Sequence, residues 1–486
     1  MYGRTFFMNK LFARISGVLC AAALILSAAA ILPACKKSAA RDKCEIVAEY
    51  QKGKICGKTC YTYTNNSDNS FKEIKFCLYA NAYRAGSKYA PVEASAKETT
   101  FKEGYGGIKI TYAKANGEEA AFKVCGEDEN VLAVEIPELF PSEKITVEAG
   151  FETTLPKAAL RLGETGKTVN LGDFYPVLCK EENGAFKECA YSPFGDPYYS
   201  DCADYSFTLT VPSTYTVASS GYPENTKADN EKTTYAYSLS GGRDFAFVLS
   251  EDFRVASVRS GDVTVNAYTT GENAEELAAI AKNALEYFSS VFGAYPYKTF
   301  SVAVTPFNCG GMEYSGMCFL SDELKGDEMK YALVHEVAHE WWHCLVGSDQ
   351  INAAYIDEGL AEFSAYLYLK NAEGNAEAAE KVYNGAIAAY KTFFDIEKTL
   401  SGSADSAMNR NLQAYSSRAE YVAISYDKAL IMFVKYSLTV GETKAVKLLK
   451  RLAHDYAYGN IDLTALTKTL GLKEFFVSFV EGKVLI

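Results

Sequence analysis

Three of the four histidines in this chain fall between positions 335 and 343. In His335-Glu336-Val337-Ala338-His339, the two imidazoles lie four residues apart, so on a helix they share one face and can bind one metal ion. Glu336 is rotated by about 100° from His335, which suits a carboxylate that faces a metal-bound water. At the chain's own histidine frequency, about 0.002 such motifs are expected by chance. We therefore predict a metal site here.

A catalytic zinc ion needs a third protein ligand and an open fourth position. Glu358, in Asp357-Glu358-Gly359, is separated from His339 by 18 residues and begins a helical pattern over residues 357–369. A hairpin of two helices through residues 347–349 would bring this carboxylate to the same ion. Two nitrogen ligands and one oxygen ligand favour Zn²⁺ over a hard cation. The predicted ligands are therefore His335, His339 and Glu358.

Other side chains near the motif have more ordinary interpretations. Glu362, one turn after Glu358, either accepts the free N–H of a ligand histidine or faces solvent. His343 lies one turn beyond His339, and we expect it to line the pocket or the surface rather than bind the ion. Trp341 and Trp342, the only tryptophans, are expected to pack the helix against its neighbours.

The spacing of these residues resembles that of the gluzincin zinc aminopeptidases, the aminopeptidase N family that includes leukotriene A hydrolase. Gly310-Gly311-Met312-Glu313-Tyr314 is similar to the Gly-x-Met-Glu-Asn loop of that family, and Tyr426-Asp427-Lys428-Ala429 is similar to its Tyr-x-Lys-Gly segment. Residues 173–176 and 194–197 look like segments of its amino-terminal domain. The resemblance covers residues 60–435.

The resemblance implies a catalytic role for each matching residue. His335, His339 and Glu358 would bind one zinc ion, which lowers the pKa of its water to about 7. Glu336 would act as general base and return the proton to the leaving amine. Tyr426 would stabilise the charge that develops on the former carbonyl oxygen.

The resemblance also implies a peptide-binding loop. Glu313 would bind the free α-ammonium of the substrate, as an exopeptidase requires. Gly310 and Gly311, together with Met312, would allow the backbone to lie along the peptide like an added strand. Tyr421 has a family counterpart near the site, but a packing role is equally consistent with its position.

The chain departs from the family pattern at several points. Tyr314 and Asp357 stand where the family has asparagine, and His343 stands where glycine is usual. Only 60 residues follow Tyr426, too few for the large helical carboxy-terminal domain of typical members. We therefore expect a short form that lacks this domain. The residue of the β domain that helps to bind the α-amine in the family is not assigned in this sequence.

The predicted secondary structure that positions these residues changes from mostly strands to mostly helices near residue 255. Before it, short β-rich runs broken by Asn, Gly, Asp and Pro predict an antiparallel β-sandwich-like domain over residues 60–255, after a linker at 35–59. Beyond it, helical spacing appears at residues 272–292 and dominates from Asp327. We predict an α+β protein of two domains, and the resemblance implies that residues 256–486 form a thermolysin-like, mostly helical peptidase domain.

Composition excludes several classes of protein. The chain has 486 residues, 48% of them hydrophobic and 23% charged, which is typical of a globular protein and not of a disordered one. The formal net charge of −12 has the wrong sign for neutralising phosphates. Nucleic-acid binding is therefore disfavoured.

The amino terminus has the pattern of an export signal. Arg4, Lys10 and Arg14 precede an apolar run at residues 15–32, and no acidic residue occurs in residues 1–34. This predicts a signal peptide over residues 1–34. Leu32-Pro33-Ala34-Cys35 resembles a bacterial lipobox, which implies a lipid on Cys35, while an uncleaved membrane anchor and plain secretion stay open. All three place the folded part outside the cytoplasm, at the cell surface if it is anchored.

Cysteine usage does not indicate a disulfide framework. Of the 13 cysteines, Cys20 would leave with the signal and Cys35 would carry the lipid. An odd number, 11, then remains, spread over a long chain. For Cys56 and Cys60, a local bridge and a metal site stay open, but buried or idle thiols are favoured. So many free thiols in an exported protein suggest an anaerobic or reducing habitat.

Together these features predict a cell-surface zinc aminopeptidase that removes amino-terminal residues from peptides. Two alternatives stay open: a zinc endopeptidase with an open cleft, and a lipid-anchored peptide-binding protein with an idle zinc site. Side-chain specificity and oligomeric state are not predicted.

Overall fold

The first half of the chain folds into strands because buried apolar residues alternate with polar ones along it. In the first strand, Cys44, Ile46, Ala48 and Tyr50 are buried while their neighbours face outward. The computed structural model describes residues 41–483. The predicted signal peptide and Cys35 therefore lie outside the described residues.

Strands of two to eleven residues make up most of this half. The first strands are β1 (Asp42–Gln51), β2 (Lys54–Thr64), β3 (Phe71–Cys77), β4 (Gly107–Ala115), β5 (Glu118–Glu119), β6 (Phe122–Cys125), β7 (Val131–Leu139) and β8 (Lys144–Thr154). They are followed by β9 (Leu162–Glu164), β10 (Val169–Leu171), β11 (Val177–Leu178), β12 (Glu181–Glu182), β13 (Ala185–Phe186), β14 (Ala203–Pro212), β15 (Thr216–Ser219), β16 (Tyr222–Ala228), β17 (Lys232–Gly242) and β18 (Phe247–Ser250). A 3₁₀ turn (Tyr79–Tyr83) and the short helix α1 (Ala94–Thr100) separate β3 from β4.

These strands form one large sheet and several smaller ones. The large sheet has the order β16-β17-β14-β1-β2-β8-β4-β5. A second sheet, β11-β3-β7-β6, shares a hydrophobic core with it. The pairing is antiparallel, as predicted, except that β1 pairs with β14 in parallel. The sheet is therefore mixed at its centre.

The predicted linker at residues 35–59 is wrong from residue 42 onward. β1 and β2 form an antiparallel hairpin in which Gln51 pairs with Lys54, at the centre of the large sheet. Lysines and glutamates on the outer face obscured the two-residue alternation of buried side chains.

The second half combines one small sheet with helices. Its strands are β19 (Arg254–Ser260), β20 (Val263–Thr269), β21 (Thr299–Thr305), β22 (Gly311–Tyr314) and β23 (Met317–Ser321), with β24 (Gly347–Ser348) and β25 (Asn460–Ile461) pairing separately. The sheet order β19-β20-β21-β23-β22 leaves β22 at an edge. The predicted domain boundary at residue 255 falls at the start of β19 and stays a prediction.

The helices of this half surround a single core. They are α2 (Ala274–Phe292), α3 (Gly326–Ala338), α4 (Gln350–Ala353), α5 (Asp357–Leu367), α6 (Ala376–Ser401), α7 (Arg418–Val422), α8 (Lys428–Val440), α9 (Glu442–Asp455), α10 (Leu463–Leu470) and α11 (Lys473–Val480). Trp341 and Trp342 are fully buried in this core, where their rings contact Phe292. Within residues 41–483, no helix has both the length and the apolar character needed to cross a membrane.

The predicted α+β class, with a β-rich half followed by a mostly helical half, is confirmed. Three helical elements bring the site together. α3 carries the HExxH motif, α5 packs against it, and α8 packs against α5. At Gly359 in α5, a Cβ would lie 2.6 Å from Ala429 Cβ in α8. Glycine at this position therefore permits the close approach of α5 and α8.

Candidate active site and metal centre

The HExxH motif lies at the carboxy-terminal end of α3. His335 belongs to its last turn, and His339 follows directly with helical backbone angles. Their Nε2 atoms face each other at 3.0 Å, and both side chains are buried. The helix therefore presents both imidazoles to one point, as the four-residue spacing predicts.

Glu358, in the first turn of α5, completes the cluster. Its Oε2 lies 3.3 Å from His335 Nε2 and 3.5 Å from His339 Nε2. A tetrahedral zinc ion with bonds of 2.0–2.1 Å needs ligand atoms about 3.3–3.4 Å apart. Oε2 also has no hydrogen-bond partner although it is buried. The spacing and this unpartnered oxygen both fit a zinc ion with these three ligands.

The outer nitrogens of the two imidazoles are held by neighbouring groups. His339 Nδ1 lies 3.1 Å from the carbonyl oxygen of Trp342. His335 Nδ1 lies 3.1 Å from Glu362 Oε1, and Tyr331 donates to the other oxygen of Glu362 at 2.6 Å. These contacts orient both rings so that Nε2 faces the cluster.

The charges around the cluster favour a cation at its centre. Burial opposes a charge on His335, but the neighbouring carboxylates of Glu358 and Glu362 outweigh it and raise the pKa of the imidazole to about 10. Burial also acts to raise the pKa of Glu358, yet the neighbouring His335 and His339 imidazoles hold it well below its usual value. A divalent cation would supply the positive charge that these groups stabilise.

Glu336 lies beside the cluster, packed against the backbone of β22. Its Oε2 is buried and has no hydrogen-bond partner. Burial raises the pKa of its carboxyl to about 8, against the opposing influence of His335 and His339. A Cβ at Gly311 would lie 2.3 Å from Glu336 Oε1, so glycine makes room for this carboxylate. Glu336 is therefore free to exchange a proton with a group in the pocket.

Glu313 reaches the same point from β22. One ligand atom each from Glu313, Glu336 and His339 lie within 4.8 Å of one another. Gln350, at the start of α4, donates to Glu313 Oε1 at 3.0 Å and to Asp357 Oδ2 at 2.6 Å. All three of these side chains are buried. One amide group therefore fixes the carboxylate that faces the candidate metal ligands.

Tyr426 closes the other side, in a π-helical turn (Ala423–Asp427) just before α8. Its hydroxyl donates to Glu358 Oε1 at 2.5 Å, and its ring stacks on that of His335. Burial and the neighbouring Glu358 raise the pKa of the phenol. Tyr421 packs edge-on against Tyr426, and its buried hydroxyl has no hydrogen-bond partner.

The helical half also matches a known family in sequence. Residues 277–479 match the model of the Peptidase family M1 domain. The chain carries an M1 peptidase domain. Together with the fold shared with solved M1 zinc metallopeptidases, this match confirms the predicted family and the predicted enzyme class, a zinc metallopeptidase. No curated protein sequence matches the chain.

Solved structures of M1 peptidases share the fold of both halves. A mutant M1 zinc metallopeptidase from Deinococcus radiodurans is 16% identical, with a TM-score of 0.63 over 92% of this chain and 95% of that chain. A Deinococcus radiodurans structure bound to the peptide Tyr-Ser-Ala has the same identity and coverage and a TM-score of 0.64. A two-domain M1 zinc metallopeptidase bound to L-arginine gives 0.62 at 16% identity, over 92% and 94% of the two chains. These likenesses show a two-domain M1 fold.

A cavity of about 300 Å³ opens above His335, His339 and Glu358 in the M1 domain. Sequence-predicted residues on its wall are Gly310, Gly311, Met312, Glu313, Glu336, Tyr421 and Tyr426. The first half contributes Arg161 and Asp196, which form a partly buried ion pair. Burial raises the pKa of Asp196, although Arg161 opposes the shift. The cavity thus draws on both halves of the chain.

Sequence reasoning missed several of these residues. Asp196 lies in the segment 194–197 that resembles the family, so that motif was the available signal. Arg161, Arg418 and Gln350 belong to no recognisable motif, and only the fold brings them to the cavity or behind it.

His343 does not lie on the ligand face of the motif helix. The helical backbone breaks after Trp341, and His343 has an extended φ of 174°. Its Nε2 lies 3.4 Å from Asp244 Oδ2. A ligand atom each from His343, Glu313 and Asp357 lie within 4.8 Å of one another, but the Gln350 amide already donates to both carboxylates. His343 therefore packs behind the site.

Proposed function

We propose that this chain is a zinc-dependent aminopeptidase that removes single residues from the amino terminus of short peptides. The observation that carries the proposal is the position of Glu313, within 4.8 Å of Glu336 and His339. In any residue, the α-nitrogen and the carbonyl carbon are about 2.5 Å apart. An α-ammonium bound to Glu313 therefore leaves room for one residue before the bond that is cut.

The bound peptide lies along β22. This strand is at the edge of its sheet, so its outer backbone groups are available to pair with an extended substrate. The M1 structures that contain Tyr-Ser-Ala and L-arginine support peptides as substrates and amino acids as products. The cavity above the ligands receives the amino-terminal residue.

The chemistry is divided among a few side chains. Zinc, held by His335, His339 and Glu358, supplies a Lewis acid and a water of lowered pKa when it is bound. Glu336 accepts the proton of the attacking water and passes it to the leaving amine. Tyr426 keeps its proton because its pKa is raised, so its hydroxyl can donate to the developing oxyanion.

The test uses aminoacyl 4-nitroanilides and matched peptides with free or acetylated amino termini. We expect hydrolysis that a chelator stops and zinc restores. Glu336→Gln should lose about 100-fold or more in kcat while it retains its zinc. Only free amino termini should be accepted. Cleavage of acetylated peptides would favour an endopeptidase, and zinc-loaded protein that binds but never cleaves a peptide library would favour an idle binding protein.

We also propose that the protein is exported and anchored by a lipid on Cys35. The basic and apolar pattern of residues 1–34 and the Leu-Pro-Ala-Cys sequence that ends at Cys35 support this. The test is labelling with a fatty-acid analogue in a bacterial host. The wild type should take up the label and Cys35→Ser should not, whereas equal labelling of both would contradict the anchor.

A further inference from the structure

Three cysteines that are distant in sequence meet in the core of the β-rich half. Cys77 ends β3, Cys179 follows β11 and Cys189 follows β13. The sulfur atoms of Cys77 and Cys179 lie 3.4 Å apart, and Cys189 lies close enough to Cys77 to lower its pKa. Each of the three is only 2% exposed. We call these residues the thiol cluster.

The backbone holds the thiol cluster in place. β3 and β11 pair in antiparallel register, with Cys77 opposite Val177. Beyond β11, the amide of Cys179 donates to the carbonyl of Lys75 at 3.0 Å. Asn130 Nδ2 donates to the carbonyl of Cys189 at 2.8 Å. The contact between the sulfur atoms is therefore set by the sheet and by the loop beside it.

The geometry distinguishes disulfide chemistry from metal binding. Among the described residues, the groups close enough to hold a metal ion lie at the active site, and none includes these cysteines. Two sulfur atoms at 3.4 Å are already in contact, which is the arrangement from which a disulfide bond of about 2.05 Å forms. Hydrogen bonds from Cys179 and Cys189 lower the pKa of Cys77, which favours its thiolate, the reactive form in exchange.

We propose that the thiol cluster is a thiol–disulfide exchange site in which Cys77 forms a disulfide with Cys179 and Cys189 competes for Cys77. The oxidant is a low-molecular-weight disulfide. The Cys77 thiolate attacks one of its sulfur atoms and releases one thiolate, which gives a mixed disulfide. Cys179, after losing its proton, then attacks the Cys77 sulfur and releases the second thiolate. Two cysteines lose two electrons and two protons, and the small disulfide is reduced to two thiols.

The choice of partner for Cys77 matters for the cavity wall. Cys189 is two residues before Tyr191, whose hydroxyl donates to Asp173 and accepts a hydrogen bond from Arg161. The chain then lines the cavity at Phe194, Gly195 and Asp196. A Cys77–Cys179 bridge leaves this segment untethered at Cys189, whereas a Cys77–Cys189 bridge ties it to β3. The exchange site is independent of the proposed peptidase activity.

The experiment treats the zinc-loaded full chain with increasing glutathione disulfide, alkylates the remaining thiols and maps the peptides by mass spectrometry. We expect one bridge per chain, Cys77–Cys179. Cys44 and Cys318 are fully buried but lie outside the cluster. They should stay reduced, so both should be found alkylated when the protein is unfolded for the alkylation step. In Cys179→Ala the bridge should move to Cys77–Cys189, and in Cys77→Ala no bridge should form.

Because the thiol cluster is buried, an oxidant has little access to it in the folded protein. A second sample is therefore refolded from urea in a glutathione redox buffer, so that the oxidant reaches every thiol. A Cys77–Cys179 bridge in either sample supports the proposal. If Cys77 stays as reduced as Cys318 in both, the proposal is overturned. A wild-type bridge between Cys179 and Cys189 overturns it as well, because Cys77 would then not be the shared thiol.

Discussion

At the scale of single residues, Gly310 and Gly311 are neighbours with different requirements. A Cβ at Gly311 would lie 2.3 Å from Glu336 Oε1, whereas a Cβ at Gly310 would have no atom within 4 Å. We predict that Gly311→Ala displaces the general base and lowers kcat about 100-fold. Zinc content should not change, because the three atoms nearest to the added Cβ all belong to Glu336, which is not a proposed metal ligand. Steady-state kinetics with metal analysis of the same sample would measure both.

Gly310→Ala is the matched control for this prediction. It adds the same methyl group one residue earlier, in open space, so kcat should fall by no more than about twofold. Equal losses in the two variants would show that loop flexibility, rather than the space beside Glu336, explains the need for glycine.

Gln350 is the second residue whose role can be isolated. Its amide donates to both Glu313 and Asp357 in a buried setting. Hydrogen bonds to charged groups are worth about 1.5–3 kcal/mol, so Gln350→Ala should lower kcat/KM about tenfold for substrates with a free amino terminus. The loss should lie mainly in KM. Asn352→Ala, an exposed change on the same helix, should leave KM unchanged.

At the scale of elements, Lys428 ties the start of α8 to two other segments. Its side chain is fully buried, and Nζ donates to the carbonyls of Ser406 and, at 2.8 Å, Phe479. Burial lowers the pKa of the ammonium group to about 8. The unfolded chain keeps this proton up to about pH 10.4, so between pH 8 and 10 the unfolded state binds more protons and stability rises with pH.

The predicted rise in stability with pH can be measured by comparison with a variant that lacks the titrating group. Relative to Lys428→Met, the wild type should gain about 2 kcal/mol in free energy of unfolding between pH 7 and pH 10. Urea denaturation of both proteins at several pH values gives the difference. Parallel curves for the two proteins would mean that Lys428 has an ordinary pKa.

Elements also show what the sequence could and could not predict. Helical spacing identified α2, the motif helix and the start of α5, because one buried face recurs every turn along each of them. The contact between Gln350 and Glu313 has no such signal, since α4 is a four-residue helix placed by tertiary packing alone. The break after Trp341 likewise turned His343 away from the ligand face, although the sequence reads as a continuing helix.

At the scale of the whole molecule, metal binding should stabilise the fold. The three proposed ligands come from the last turn of α3, the residue directly after it and the first turn of α5, so a bound ion links two helices of the core. Zinc at about 100 times its dissociation constant should add about 2.7 kcal/mol to the free energy of unfolding. A thermal denaturation scan should show a rise in Tm for the wild type and for His454→Ala, which changes an exposed histidine. Glu358→Gln should lose most of the rise, and an undiminished rise would place the ion elsewhere.

The size of the cavity limits which substrates the enzyme can accept. Its volume of about 300 Å³ is at the lower end of the range for sites that enclose small molecules. A folded protein whose first residues are packed against its own surface cannot thread them into so small a chamber. The cavity would thus act as a sieve, and the enzyme would work downstream of other proteases, on fragments that have already lost their structure.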